Sequence, residues 1–303
     1  WLSPTARAAR GWGLATALGF VAILAATGAL AQPAPMPPAT LYGQWAPPRA
    51  NFDPFPGRVI GLRVGGVAVP HGEVPDQSGV RAVWSEAPTF AIDVDTGGPI
   101  GRRPVLMARL VATDDEMFVA ARRGEDFLVR LRLRATDVGL RSPVVTVPAT
   151  PGRAPRARLG AEIVSSRLNA WVTDASGVAS RSVPLEVSLG WAFLLPVEVA
   201  LGFWLPMASA VWVGVLAAPT GFYMAAASRG GPVGWASRAR AIGLPLSALA
   251  IGLGLIPVAV SAAPTQWGGW GGTAAGLLAG WWLGVRASRG RVESRTAPDP
   301  PSL

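Results

Sequence analysis

Apolar and polar residues alternate with a period of two through the middle of the chain, and long apolar runs fill both ends. Period two marks a strand with one buried face. The clearest case puts Phe127, Val129, Leu131 and Leu133 on one side and Arg130, Arg132 and Arg134 on the other. Similar runs cover 58–69, 79–84, 88–95, 103–112, 116–122, 143–148, 158–164, 167–173 and 181–188, with turn-forming clusters such as RRGED and TDASG between several of them. Many short strands without a helical period predict a β-sandwich or jelly roll over 58–188. Before it, the proline-rich segment 32–57 reads as an extended, stiff linker.

The apolar runs are helix-length. Residues 11–31, preceded by Arg7 and Arg10, can cross a bilayer core of roughly 30 Å. The basic start and Ala29-Leu30-Ala31 also resemble a signal peptide with its cleavage site. The length of the run favours a retained signal-anchor over 1–31. Between 189 and 227 the chain is apolar with one charge, Glu198. One crossing at 205–227 is expected, with 189–204 held at the interface by Trp191 and Trp204; the alternative, that 189–204 also crosses, stays open. Further spans are expected at 241–262 and 271–285, so three transmembrane helices fill 205–286 and a tail follows at 287–303. Gly272, Gly276, Gly280 and Gly284 recur every fourth residue, which places them on one helix face suited to close packing, internal or towards another subunit. Trp267, Trp270, Trp281 and Trp282 sit near the ends of that span as interfacial anchors.

Charge agrees with this layout. All 27 basic residues are arginine, and the formal net charge is +9. Between 40 and 187 there are 18 arginines against 15 acids, whereas the other 9 arginines fall only in 1–10, 229–240 and 286–295. Arginine beside apolar segments follows the positive-inside rule and argues against nucleic acid as the partner. Both termini are therefore expected in the cytoplasm of a bacterium, with the β domain outside the cytoplasmic membrane. The predicted class is a membrane protein, α plus all-β: an N-terminal transmembrane helix, an extracytoplasmic sandwich and a three-helix transmembrane region.

With LYGQWAPPRANFDPFPG, DFLVRLRLRATDVGLRSPVV and GWAFLLP in that order around a β domain, the chain resembles VanZ-like bacterial membrane proteins carrying a concanavalin- or laminin-G-like domain. That resemblance implies envelope or sugar binding and transfers no catalytic residue.

Little chemistry is written in the residues. The chain has no cysteine and one histidine, His71, which excludes thiolate chemistry and a multi-histidine metal site. Asp93 and Asp95 share a strand face, and Asp114-Asp115-Glu116 form an acidic turn, but no calcium-loop spacing joins them. No nucleophile elbow or phosphate-binding fingerprint occurs. We therefore expect no catalytic residue, metal or cofactor. The expected role is a non-catalytic accessory subunit of a membrane complex, photosynthetic or respiratory, contacting other subunits and lipid. Arg130, Arg132 and Arg134 are the expected partner or lipid contacts. Alternatives are an envelope glycan-binding protein and a membrane-anchored hydrolase.

Overall fold

The structure, a computed structural model, describes residues 6–98, 100–101, 103–113, 115–148, 155–194, 200–201, 204–228 and 235–295. In chain order its first half holds α1 (Ala6–Leu30), β1 (Leu41–Trp45), β2 (Arg58–Val64), β3 (Val67–Val69), β4 (Gly72–Glu73), α2 (Gln77–Glu86), β5 (Thr89–Asp95), β6 (Val105–Ala112) and β7 (Asp115–Arg123). Then follow β8 (Asp126–Leu131), β9 (Val144–Val147), β10 (Arg156–Val164), β11 (Arg167–Asp174), β12 (Gly177–Pro184), α3 (Gly190–Leu194) and β13 (Ala200–Leu201). The last helices are α4 (Leu205–Ser228), α5 (Trp235–Gly254), α6 (Ile256–Ala259) and α7 (Trp267–Arg295). Two compact units result: a helical one of Trp1–Gly28, Glu186–Trp191 and Trp204–Leu303, and a β unit of Ala29–Leu185 and Ala192–Phe203.

The β unit contains a seven-stranded sheet, ordered β13-β9-β8-β7-β6-β1-β4, and a six-stranded sheet, ordered β12-β11-β10-β5-β2-β3. All pairings are antiparallel except β13 with β9. The sheets meet face to face: Phe90 of β5 stacks on Phe118 of β7 at 4.1 Å between centroids, and Trp84 packs edge-on against Phe90. Gly65 and Gly66, at φ +53 and +88, make the tight turn between β2 and β3, a backbone region that L side chains rarely adopt.

Three expectations change here. Residues 79–84, expected as a strand, lie in α2. Asp76 caps that helix by accepting from the Gly79 N–H at 2.8 Å, and Val80 and Trp84, one helical turn apart, are both buried. The segment 32–57 is not a plain linker. Its Leu41–Trp45 pairs along β6, Pro33 bridges to Leu133, and the Trp84 indole donates to the Ala34 carbonyl at 2.8 Å. Finally, Ala200 and Leu201, from the expected interfacial stretch 189–204, join the seven-stranded sheet beside β9; Glu198 lies outside the described residues.

In the helical unit, Phe20 and Leu24 of α1, Val213 and Ala217 of α4, and Leu249 and Leu253 of α5 form a common core. Thr220 donates to the Thr16 hydroxyl at 3.1 Å, and Ala9 packs with Ala227 and Ala241. These pairs set α1 antiparallel to α4 and parallel to α5. The closest packing joins α4 to α7. A Cβ on Gly272, Gly276 or Gly280 would overlap the carbonyl oxygens of Ala210, Gly214 or Ala218, and one on Gly284 would lie 2.7 Å from that of Phe222. Because both members of each pair advance together, α4 and α7 run parallel, backbone against backbone. The start of α1, the end of α4, the start of α5 and the end of α7 therefore share one end of the bundle, carrying Arg10, Arg240 and Arg286.

Two helical stretches, Ala8–Leu30 and Leu205–Ser228, are long and apolar enough to cross a membrane. The stretch expected as one span over 241–262 is instead divided: α5 ends at Gly254 and α6 begins at Ile256. Pro257 has no N–H for the carbonyl of Leu253 four residues back. The Thr265 hydroxyl donates to that carbonyl instead, at 2.7 Å.

Candidate functional site

Strand register builds a site on the face of the seven-stranded sheet that points away from the other sheet. Ala121 faces Leu128, and Val119 faces Arg130 across β7 and β8. Leu128 faces Thr146, and Arg130 faces Val144 across β8 and β9. Leu106, Val119, Ala121, Leu128 and Val144 thus form an apolar floor, with Phe52 packed on it. Above it lies a cleft of about 380 Å³, walled by Phe52 and Pro104 and edged by Arg49, Arg123 and Arg130.

One carboxylate organises the cations at one end of the cleft. Glu116 receives Arg49 at 2.5 Å and Arg109 at 2.8 Å, and Arg130 pairs with its other oxygen. Arg109 is held further by the Gln44 side-chain carbonyl at 2.6 Å, and the Arg49 guanidinium lies over the Phe52 ring. Burial pulls the Glu116 carboxyl upward. The charge of Arg130, the hydrogen bond from Arg109 and the charges of Arg49 and Arg109 outweigh it and hold the group below the ordinary carboxylate range. At the other end Arg123 is exposed and has no acid partner among the described residues.

The arginines expected as a ladder of contacts separate. Arg130 belongs to the Glu116 cluster, and Arg132 pairs with Asp115 and with Asp137, the latter at 2.9 Å. Only Arg134 keeps an exposed guanidinium, on a broader depression of about 620 Å³ that Arg81 and Glu86 also line. Asp93 is paired with Arg158 at 2.6 Å, and Asp95 with Arg58 and Arg156 at 3.2 Å each. Asp114 lies outside the described residues. Among the described residues no three His, Cys, Asp or Glu side chains converge as metal ligands. His71 accepts from the Trp45 backbone N–H at 3.2 Å.

Of the tryptophans expected as anchors, Trp204, Trp267, Trp270 and Trp282 are exposed, Trp267 by 90 %. Trp281 is half-buried, and Trp191 is tied to the Ser209 hydroxyl at 3.2 Å. Arg286 lies over the Trp282 ring. The glycines at 272, 276, 280 and 284 are all occupied by α4 of the same chain. Sequence reading missed the cleft. Its floor alternates with the sandwich core on the same strands, and its charges come from positions as distant as Arg49 and Glu116.

No family model, curated protein or solved structure matches the chain.

Proposed function

We propose that this chain is an integral protein of the bacterial cytoplasmic membrane that acts by binding, as a non-catalytic accessory subunit of a larger assembly. The observation that carries this reading is the outside of the helical bundle. Leu18 of α1, Val211 and Val215 of α4, Leu244 and Ile251 of α5, and Leu278 and Leu283 of α7 all face outward and are exposed. A water-soluble bundle turns such faces inward and shows polar ones; in a bilayer they need no cover. Arginines gather at one end and exposed tryptophans occur towards both, as in membrane-spanning bundles.

With the arginines cytoplasmic, the β unit is extracytoplasmic, because it follows the first crossing in the chain and precedes the next. A binding role is supported by the acids: Asp93, Asp95, Asp115 and Glu116 are all engaged by arginine, which suits a scaffold better than an acid–base pair. A glycan platform is less well supported, since Trp84, Phe90, Phe118 and Phe127 are core residues, while Trp171 is half-buried against Gly160. Contacts with other subunits fall to the outer helix faces, the glycine face being used internally.

The test is native mass spectrometry of the chain released from its own membranes in mild detergent. The expected result is one or more further subunits at fixed stoichiometry. A chain that leaves the membrane in alkaline carbonate, or is released as a bare monomer, overturns the reading.

A further inference from the structure

We infer that the arginine-edged cleft on the seven-stranded sheet binds an organic anion: one acidic head, carboxylate or phosphate, on an apolar body. The inference stands on the β unit alone and does not depend on the membrane reading. Charge is the first argument. Arg49, Arg109 and Arg130 share the single carboxylate of Glu116, and Arg123 adds a fourth cation. Asp126 lies opposite Arg123 in the β7–β8 ladder, but no ion pair joins them. The cleft therefore keeps a positive excess, which repels metal cations and basic peptides and attracts an anion.

The floor is the second argument. Val119, Ala121, Leu128 and Val144 are 8 % exposed or less, so the base of the cleft is hydrocarbon. An inorganic anion would leave that floor wet, and a neutral hydrocarbon would leave Arg123 unmatched; an amphiphile satisfies both. The volume of about 380 Å³ lies in the ordinary range for small-molecule sites, roughly 300–1,000 Å³.

The layout is the third. Val119 and Arg123 are four residues apart on β7, which is about 13 Å along a strand. Arg123 stands at one end of the floor and the Glu116 cluster closes the other. A head held by the planar fork of Arg123 leaves an eight-carbon tail lying over Ala121 and Leu128 towards Phe52.

The test is calorimetric titration of the full chain in maltoside micelles with octanoate, octyl phosphate, octanol and inorganic phosphate, empty micelles being subtracted. The expected result is one saturable site for octanoate or octyl phosphate, about ten-fold tighter than for octanol or inorganic phosphate. Whichever head binds better identifies the natural source as a free fatty carboxylate or a phosphorylated amphiphile. Arg123→Ala, at an exposed position, weakens binding about ten-fold with an unchanged melting midpoint. Ala121→Leu, which fills the floor, weakens it without altering the charge. Octanol binding as tightly as octanoate, inorganic phosphate binding as tightly as octyl phosphate, or Arg123→Ala leaving affinity unchanged would each overturn the inference.

Discussion

Gly276 and Gly271 lie five positions apart in α7, yet they meet different surroundings. A methyl group on Gly276 would run into the Gly214 carbonyl, whereas one on Gly271 would meet nothing within 4 Å. Gly276→Ala should therefore cost about 1–3 kcal/mol by forcing α4 and α7 apart. Gly271→Ala should be neutral or slightly stabilising, because alanine is the better helix former. Thermal unfolding of the two variants in the same detergent checks the pair, and equal losses would show that the contact matters less than glycine itself. Glu116 makes a second prediction. Its carboxyl is held low in the folded chain, so its contribution to stability is complete above the ordinary carboxylate range and is lost as pH falls through its depressed value. Glu116→Gln removes that contribution and leaves three arginines facing one another, costing about 1–3 kcal/mol near neutrality, a figure reduced because Arg49 and Arg130 are part-exposed. A midpoint-against-pH curve should be less acid-sensitive for the variant than for the parent chain as pH falls below the ordinary carboxylate range.

The break between α5 and α6 is a local consequence of one proline. Thr265→Val deprives the Leu253 carbonyl of the donor that replaces the missing Pro257 N–H, at a cost of about 1–2 kcal/mol. Pro257→Ala restores a backbone N–H to that carbonyl, so the same Thr265→Val change made on top of it should cost clearly less. A double-mutant cycle by thermal melting measures the difference, and strictly additive effects would show that the hydroxyl does not serve this role. Similar local logic explains α2. Val80 and Trp84 satisfy period two and also a one-turn helical spacing; the Asp76 cap, which a period count ignores, favours the helix.

For the chain as a whole, the absence of cysteine permits a clean topology experiment. Val178→Cys places a thiol at an exposed position of β12, and Ala287→Cys places one beside Arg286 near the end of α7. In intact cells stripped of any outer membrane, a membrane-impermeant maleimide should label the first and reach the second only after permeabilisation. Labelling of both positions in intact cells would contradict a bundle whose arginine end is cytoplasmic.

Local order is legible in the sequence itself: alternation in Phe127–Leu133 marks a strand, and the apolar runs mark helices, because backbone periodicity depends only on neighbours in the chain. The glycine repeat announced a packing face, but its partner could not be read from it. That partner is set by α4 folding alongside α7, so the carbonyls of Ala210, Gly214 and Ala218 meet glycine only in three dimensions. The same limit hid the cleft. Leu128 and Arg130 look like the solvated side of a strand, since one strand cannot show that Phe52 will pack on the cluster holding Leu128 or that Arg130 will share Glu116 with Arg49. Pairing of distant strands brings one carboxylate among several cations over a shared apolar floor. Such non-local contacts leave no periodic trace in the sequence, and here they form the cleft.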